Sequence, residues 1–346
     1  MATGTIGILA NPAAGKDVRR LVTHASPTSD AAKIGVVRRA VLGAIGGGAH
    51  RVIIAPDRHR LSERAVEELH ADEIRGVTIE VIDEPVYGIR SDTVAVAARF
   101  AKADVDVLIV LGGDGTNRDV AKGWLHAPLV SISTGTNNVF PRALDATLAG
   151  LGAGLVASGV VSPSEASHQA KWIAVQFDDG SADDLALVDL ALVDARFVGS
   201  RAVWDPTILR TVVACIAEPA SVGLSNLAAM LAPVSRREPG ATVVDVATDP
   251  AFSIGSVRAM LAPGMLVPLA YSRCDRLVSG EFVSLCGPGM LAFDGERDRV
   301  LDDGVTARAE IRADGPTVID VERAITVAAN RGHFRTSPAS RPSPQN

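Results

Sequence analysis

The 346-residue sequence has few cysteines and few aromatic residues, and its basic residues do not outnumber the acidic ones. Cys215, Cys274 and Cys286 are an odd number and form no CxxC pair, which argues against a disulfide framework. Three inert thiols are typical of a reducing compartment. We therefore expect a cytoplasmic protein.

Long apolar runs are also absent. No uninterrupted stretch approaches the roughly 20 residues that a membrane span needs, and Met1 to Pro12 lacks a basic leader followed by an apolar segment. The net charge is -6, and no stripe of Lys and Arg is interleaved with aromatic residues, which argues against a nucleic-acid partner. We therefore expect neither a membrane nor a nucleic acid as partner.

The first part of the chain alternates short apolar runs with segments of helical spacing. This pattern indicates βαβ crossovers and a mostly parallel sheet. The predicted strands are Thr5–Ala10, Arg51–Pro56, Val77–Ile82, Val105–Leu111 and Leu129–Ser133. The predicted helices are one through about Thr23, then Lys33–Ile45, Leu61–Ile74, Asp92–Ala103 and Asp114–Trp124.

After about residue 162 the pattern changes to short strands separated by glycine, proline or aspartate. The predicted strands are Trp172–Phe177, one or two within Leu185–Val198, Thr242–Ala247, Met265–Leu269, Arg276–Leu285, Gly289–Phe293, Thr306–Ile311 and Val318–Val321, with one helix around Val222–Leu231. Because the length favours two domains, we predict an α/β domain in residues 1–142 and a mostly β domain in 143–334. The proline- and serine-rich tail, 335–346, is predicted to be disordered.

The stretch Leu108 to Asn117, LIVLGGDGTN, organises the first domain. Its apolar run indicates a strand buried on both faces, and the three glycines that follow let a ligand approach bare backbone. Asp114 presents the one carboxylate of this turn. The alternative is a tight connection to a helix with an N-capping aspartate.

Two further turns follow predicted strands of the same sheet. At Asn11 to Lys16 a P-loop is discounted, because Ala10 and Asp17 stand where that motif requires glycine and a hydroxyl. Lys16 either reaches a phosphate or is a solvated lysine. Thr134 to Asn138 offers uncharged donors and acceptors that suit a ribose or an adenine edge, or is an ordinary polar loop.

A late turn carries two carboxylates, Asp294 and Glu296, around Gly295. If this turn faces a cleft, either carboxylate can act as a general base or hold a metal. A DG turn that joins two strands is the competing interpretation.

Together these four turns, in this order, resemble the superfamily of NAD kinases and diacylglycerol or sphingosine kinases. The segment GTNNVFP, which begins at Gly135, is most similar to its ATP-NAD kinase-like branch, which includes the AcoX proteins associated with acetoin catabolism. The resemblance implies a nucleotide-binding α/β domain, a substrate-binding β-sandwich domain and an active site between them. It also implies phosphoryl transfer from ATP, with Mg²⁺, to the hydroxyl of a small molecule.

The resemblance also implies roles for individual residues. Asp114 and Glu296 are the predicted catalytic residues, Asp194 and Asp294 are predicted to contact the substrate, and no metal ligand is assigned. The predicted nucleotide contacts are Asn11, Gly15, Lys16, Gly112, Gly113, Gly115, Thr116, Asn117, Thr134, Gly135, Thr136, Asn137 and Asn138. Magnesium is expected because a carboxylate among polyphosphates needs a cation nearby.

The acceptor is the open part of this prediction. NAD kinases carry an Asn-acidic pair in the second domain, and the nearest match here is Val193-Asp194. NAD remains the first acceptor to consider, an acetoin-related or other small hydroxylated metabolite is the second, and a nucleotide-binding regulatory protein without turnover is the alternative outside catalysis. Polyphosphate is an alternative donor. A homo-oligomer is plausible, because the β-rich half has open edges.

Overall fold

The computed structural model describes residues 4–15, 28–135, 137–195, 197, 202–203 and 205–335. The helix predicted after the first strand, Lys16, Thr136 and nearly all of the predicted tail lie outside these ranges. The description that follows concerns the described residues.

The first part of the chain forms a parallel sheet with helices between its strands. Its strands are β1 (Thr5–Ala10), β2 (Arg51–Ile54), β3 (Thr78–Val81), β4 (Val107–Gly112) and β5 (Pro128–Ser133), in the spatial order β3-β2-β1-β4-β5. Its helices are α1 (Asp30–Gly46), α2 (Leu61–Glu67), α3 (Arg90–Lys102), α4 (Asp114–Gly123) and α5 (Ala146–Ala157). The predicted parallel α/β architecture is confirmed.

The second part is built from antiparallel strands. After α6 (Pro163–Ala166) and β6 (Ser167–Gln169) come β7 (Trp172–Phe177), β8 (Asp184–Ala186), β9 (Asp189–Val193), β10 (Leu209–Ala214), α7 (Ser225–Leu231), β11 (Ala241–Val246), β12 (Gly255–Ala262), β13 (Met265–Leu277), β14 (Phe282–Cys286), β15 (Gly289–Phe293), β16 (Glu296–Leu301) and β17 (Thr306–Arg312). One sheet has the order β12-β13-β11-β10-β9-β15-β16 and the other β14-β17-β7-β8.

The two antiparallel sheets pack face to face. Successive side chains of a strand point to opposite faces, so Leu190 and Leu192 of β9 enter the core shared with Ile173 of β7 and Ile311 of β17. Ala191 and Val193 point the other way, into a second core that α7 covers. The predicted β-sandwich is therefore present, with a helix on the outer face of its larger sheet.

The end of the chain returns to the first sheet. The strand β18 (Thr317–Ile319) pairs in parallel with β5 and antiparallel with β6, and the helix α8 (Val321–Asn330) packs against α5. The outgoing and returning segments are hydrogen-bonded to each other, from Ala170 N to the Pro316 carbonyl (2.8 Å) and from Gly315 N to the Ala170 carbonyl (3.0 Å). The division at residue 142 stays a prediction, but the first sheet also draws on segments beyond it.

Three predicted elements are wrong in extent. The strand expected over Met265–Leu269 continues to Leu277. The helix expected over Leu61–Ile74 ends at Glu67, because the Glu73 carboxylate accepts from the His70 amide and forms a local turn instead. The strand expected over Arg276–Leu285 is split: Gly280, at φ +89°, lies between β13 and β14, which belong to different sheets. None of the described helices is long and apolar enough to cross a membrane.

Helices α1 and α5 approach each other through glycines. A Cβ atom added at Gly150 would lie 2.0 Å from the Ala40 carbonyl oxygen, and one added at Gly43 would lie 2.1 Å from the Thr147 carbonyl oxygen. Both obstacles are backbone atoms, which cannot rotate away. The glycines therefore set the distance between the two helices.

We expect Gly150→Ala to lower the free energy of unfolding by about 1–3 kcal/mol, because the added methyl group forces the helices apart. Gly35→Ala, in the same helix pair, is the matched control, since its Cβ would meet only the flexible Arg39 side chain at 3.5 Å. That control should gain about 0.5–1 kcal/mol from the better helix propensity of alanine. Urea denaturation measures both, and equal stabilities of the two variants would contradict the packing argument.

Candidate active site

The turn Gly112 to Gly115, called the glycine turn below, connects β4 directly to α4. All six residues of β4 are buried, and α4 begins at Asp114 with Gly113 as its N-cap and no side-chain cap. Steric packing accounts for two of the glycines: a Cβ at Gly112 would lie 2.5 Å from the Thr116 side chain, and one at Gly113 would lie 2.8 Å from Asn138 Oδ1. Asp114 therefore does not cap its own helix, contrary to the capping interpretation.

The Asp114 carboxylate contacts the loop that follows β5. It is 9% exposed and accepts from the backbone amides of Val139 (3.0 Å) and Phe140 (2.8 Å). Backbone donors of this kind stabilise the ionised form of a carboxylate. The loop thus fixes the direction of the carboxylate beside the turn.

The late DG turn is a hairpin that brings its glutamate to the glycine turn. Asp294 (φ +51°) and Gly295 (φ +76°) form the two-residue connection of a type I′ turn between β15 and β16, and Phe293 pairs with Glu296. A Cβ at Gly115 would lie 3.4 Å from the Glu296 carboxylate. The hairpin interpretation is confirmed, and the same hairpin places Glu296 opposite Gly115.

The turn that begins at Asn11 contacts the residues that follow the glycine turn. Asn11 donates from Nδ2 to the Thr116 hydroxyl (2.9 Å), and its Oδ1 accepts from Ala13 N (2.9 Å). The buried Lys33 ammonium donates to the Pro12 carbonyl (2.6 Å) and so ties this turn to α1. Gly15, at φ +76°, ends the described part of the turn.

The polar loop after β5 lies against the glycine turn. Asn138 donates to the Ser133 hydroxyl (2.8 Å), and the buried Asn117 donates to the Gly113 carbonyl (2.8 Å) while accepting from Ser131 Oγ (2.6 Å). The Thr134 hydroxyl is buried and has no hydrogen-bond partner among the described residues. Gly135 and Asn137 are half-buried beside it.

A cavity of about 150 Å³ opens at the carboxyl ends of β1 and β2 and the start of α3. This is the edge at which ligands of open parallel sheets bind. The polar and charged side chains that line it include Asn11, Asp57, Arg58, Arg90 and Asp119, and Pro12 lies beside them. The cavity therefore joins the first turn to the helix that carries Asp114.

Arg90 connects this cavity with Glu296. Its guanidinium donates to both Asp119 oxygens (2.8 and 3.0 Å) and lies 3.5 Å from the Glu296 carboxylate and 3.5 Å from that of Asp298. Burial alone would lower the pKa of Arg90, but the hydrogen bonds and charges of these carboxylates raise it, Asp119 foremost. Arg90 is therefore a fixed cation between the cavity and the hairpin.

Known proteins share this arrangement of domains. Residues 49–151 match the model of the ATP-NAD kinase N-terminal domain, and residues 171–314 match that of the acetoin catabolism protein X C-terminal domain. Acetoin catabolism protein X of Cupriavidus necator is 33% identical over 312 residues, which cover 87% of this chain and 86% of that protein. The chain belongs to the acetoin catabolism protein X (AcoX) family.

The fold of this AcoX-family protein is also that of a solved kinase. A crystal structure of yeast NADH kinase, complexed with NADH, has a TM-score of 0.51 and 15% identity, over 98% of this chain and 90% of that one. At this identity the likeness shows the shared fold. The predicted superfamily and branch are confirmed, and the AcoX-family chain has a kinase-like first domain.

The two residues predicted to contact the substrate of the AcoX-family protein, Asp294 and Asp194, lie in different environments: one is buried and the other is exposed. Asp294 is 5% exposed and accepts from the amides of Leu187 (3.0 Å) and Val188 (2.8 Å), so its carboxylate anchors the hairpin. Asp194 is exposed and follows the far end of β9, roughly five residues or 16 Å from the Asp294 turn at about 3.3 Å per residue. The structure does not bring Asp194 to the other predicted residues.

The described residues hold no cluster of three His, Cys, Asp or Glu side chains that would bind a metal alone. Magnesium in phosphoryl-transfer sites usually keeps several waters and is bound by one or two carboxylates plus substrate phosphates. Glu296, which is partly exposed and faces Gly115, is the carboxylate that fits this role in the AcoX-family site.

Asp189 is a buried carboxylate that the sequence analysis missed. It accepts from Gly295 N (3.1 Å) and Ser225 N (3.2 Å), and so joins the hairpin turn to the start of α7. Burial raises the pKa of Asp189 to about 8, and the Asp294 and Asp114 carboxylates add to the shift. Burial also raises the pKa of Asp294 to about 6, against the lowering effect of Arg118.

These carboxyl groups make stability depend on pH. Asp189 starts from a reference pKa of 3.8, so between about pH 4 and pH 8 the folded AcoX-family protein keeps a proton that the unfolded chain has released. The contribution of Asp189 to stability therefore falls as pH rises through this window. We expect Asp189→Asn, which is neutral throughout, to flatten the decline between pH 5 and pH 8 in thermal melts. Asp179→Asn, at an exposed turn, is the control; an unchanged slope in Asp189→Asn would contradict the assignment.

Proposed function

We propose that this protein is an ATP-dependent kinase that transfers a phosphoryl group to the hydroxyl of a small molecule. The observation that carries the proposal is the position of Glu296 opposite Asp114 and Gly115, at the carboxyl edge of the parallel sheet, where Arg90 connects Glu296 to the cavity. Phosphoryl transfer depends mainly on positioning and charge neutralisation, and this edge offers both. The kinase-like first domain supports the same reaction class.

In this proposal the donor nucleotide occupies the cavity at the ends of β1 and β2. The partly exposed backbone of Gly113 and Gly115 and the Arg90 cation would face its phosphates, and Thr134, Gly135, Asn137 and Asn138 would face its sugar or base. Glu296, together with the phosphates and water, would hold magnesium, which would neutralise charge on the phosphoryl group. The buried Thr134 hydroxyl without a described partner suits a ligand contact.

Asp114 is proposed as the general base. The acceptor hydroxyl gives its proton to Asp114 while its oxygen bonds to the γ-phosphorus, and the bond between that phosphorus and the bridging oxygen breaks to release ADP. The backbone amides of Val139 and Phe140 fix the orientation of the carboxylate. Asp294 and Asp189 hold the hairpin that carries Glu296.

NAD is the acceptor that we place first, because the first domain matches the ATP-NAD kinase model. The name of the Cupriavidus necator relative supports an acetoin-related metabolite as the second. The test is ADP release from ATP and Mg²⁺ with a panel of NAD, NADH, acetoin, its diol and other small hydroxylated compounds. Absence of turnover on every acceptor, with ATP binding retained in calorimetry, would instead favour a nucleotide-binding regulatory protein.

We expect Arg90→Gln to raise the KM for ATP by about tenfold, because it removes a charge-assisted contact and leaves the carboxylates of Asp119 and Glu296 uncompensated. The control is Arg99→Gln on the same helix, which removes only a surface pair with Glu84. Initial rates against ATP concentration measure the effect. A KM equal to that of wild type would exclude Arg90 from the donor site.

A further inference from the structure

One peptide group lies between two opposite charges. The N–H of Phe140 donates to Asp114 Oδ1 (2.8 Å), and the carbonyl of Val139, which belongs to the same peptide, accepts from Arg236 Nη2 (3.0 Å). The next carbonyl, that of Phe140, accepts from Arg236 Nη1 (3.2 Å). The loop segment is thus bonded to Asp114 on one side and to Arg236 on the other.

Arg236 is itself held in place. Glu218 accepts from its Nη2 (2.8 Å), from its Nε (3.1 Å) and from its backbone amide (3.1 Å). Burial raises the pKa of Glu218, but the hydrogen bond and charge of Arg236 outweigh this and leave it below its ordinary value. Glu218 is therefore a carboxylate that fixes the guanidinium against the two carbonyls.

Hydrogen bonds in such a chain strengthen one another. A carbonyl that accepts from a cation polarises its peptide, so the N–H of that peptide becomes a better donor. The improved donor stabilises the negative charge of Asp114. The effect crosses from the second domain to the first through a peptide that has no side-chain chemistry of its own.

We propose that Arg236, fixed by Glu218, is a positioning residue that stabilises ionised Asp114 through the Val139–Phe140 peptide. Its importance for turnover rests on the proposed kinase function, whereas its effect on Asp114 does not. Among the described residues, Asp189 is electrostatically coupled to Asp114, Asp189 is in turn coupled to Asp294, which Arg118 faces, and Glu296 lies opposite Gly115. The substitutions below change none of them.

The direct test observes the Phe140 amide. Labelling with ¹⁵N-phenylalanine gives eight backbone probes in the full chain, and Phe140→Tyr assigns the one of interest. Its shift against pH reports ionisation of the carboxylate to which it donates. We expect the midpoint in Arg236→Ala to lie about half a pH unit or more above that of wild type. Arg236→Lys, which keeps the charge, should lie between them.

The matched control is Arg237→Ala, the neighbouring arginine, whose partner is Asp320. It removes the same kind of charge one residue away and should leave the Phe140 midpoint in place. Glu218→Gln should shift the midpoint in the direction of Arg236→Ala, because Arg236 loses its anchor. Arg236→Lys and Glu218→Gln are conservative variants that keep the test available if Arg236→Ala folds poorly.

Turnover provides the second readout. With ATP, Mg²⁺ and an acceptor from the panel, Arg236→Ala should lower kcat about tenfold with KM for ATP unchanged, and the acid limb of the pH–rate profile should move to higher pH. Loss of turnover in wild type would refute the kinase proposal and leave the amide test intact. A Phe140 midpoint equal in wild type and Arg236→Ala, or no titration in either, would overturn this inference even in an active kinase.

Discussion

Replacing Asp114 with asparagine should lower kcat by about 10²- to 10⁴-fold, the range that a general base contributes. The substitution preserves the size of the side chain and one acceptor oxygen for the amides of Val139 and Phe140. It removes the negative charge and with it the capacity to take a proton from the acceptor. Binding of ATP, measured by calorimetry, should persist.

The control for this variant is Asp145→Asn, outside the site. Asp145 also accepts from two backbone amides, those of Thr147 (2.9 Å) and Leu148 (3.2 Å), as the N-cap of α5. Its substitution changes the same chemistry in a structural setting and should leave turnover unchanged. If Asp114→Asn retained activity within a few-fold of wild type on the true acceptor, Asp114 would be a structural group like Asp145.

The largest loss of stability is expected for Arg118→Leu. The Arg118 side chain is fully buried, yet it donates to the Leu185 carbonyl (2.7 Å), pairs with Asp298 (2.7 Å) and Asp184 (2.8 Å), and lies 4.2 Å from the Phe293 ring centroid. Leucine removes the buried cation, and Asp184 and Asp298 keep only their more exposed partners, Lys122 (3.0 Å) and Arg90 (3.5 Å). Removing one partner of a buried ion pair typically costs about 3–5 kcal/mol, and we expect a loss of that size in the free energy of unfolding.

An exposed arginine in a similar contact is the control. Arg308 lies over the Phe282 ring at 3.9 Å and pairs with Glu310, with about half of its side chain exposed. Because water screens such pairs, Arg308→Leu should change stability by less than about 1 kcal/mol. Chemical denaturation of both variants decides the matter: a loss for Arg118→Leu no greater than for Arg308→Leu would show that the buried pairs add nothing.

The sequence predicted the fold best where the apolar pattern is strong. The strands Trp172–Phe177 and Gly289–Phe293 coincide with the predicted ones, since their residues are almost all buried. The edge strand Gly255–Ala262 was missed, because its partly exposed residues give a weak apolar signal. The returning helix Val321–Asn330 was missed because its role depends on α5, far back along the chain.

The residues of the candidate site were likewise predicted only where they belong to a local motif. The turn that carries Asp114 and the hairpin that carries Glu296 are local motifs, so spacing was enough to single them out. Arg90, Lys33 and Arg236 belong to the same site through contacts between distant segments, which no local pattern reveals. The sequence did offer a reason to select Arg118 and Asp119. They are charged residues that directly follow the GGDGTN segment, in a helix whose other residues are mostly buried.

The return of the chain to its first sheet bears on the order of folding. Val318 pairs with Leu129, about 190 residues earlier, so the parallel sheet is completed only after the whole antiparallel part of the chain has been synthesised. Within the antiparallel part, the widest pairing joins Thr306–Arg312 to Trp172–Phe177 over a shorter separation, 130 to 140 residues. Because pairing over a long separation is slow, the sandwich is expected to form before the sheet that precedes it in the sequence is closed.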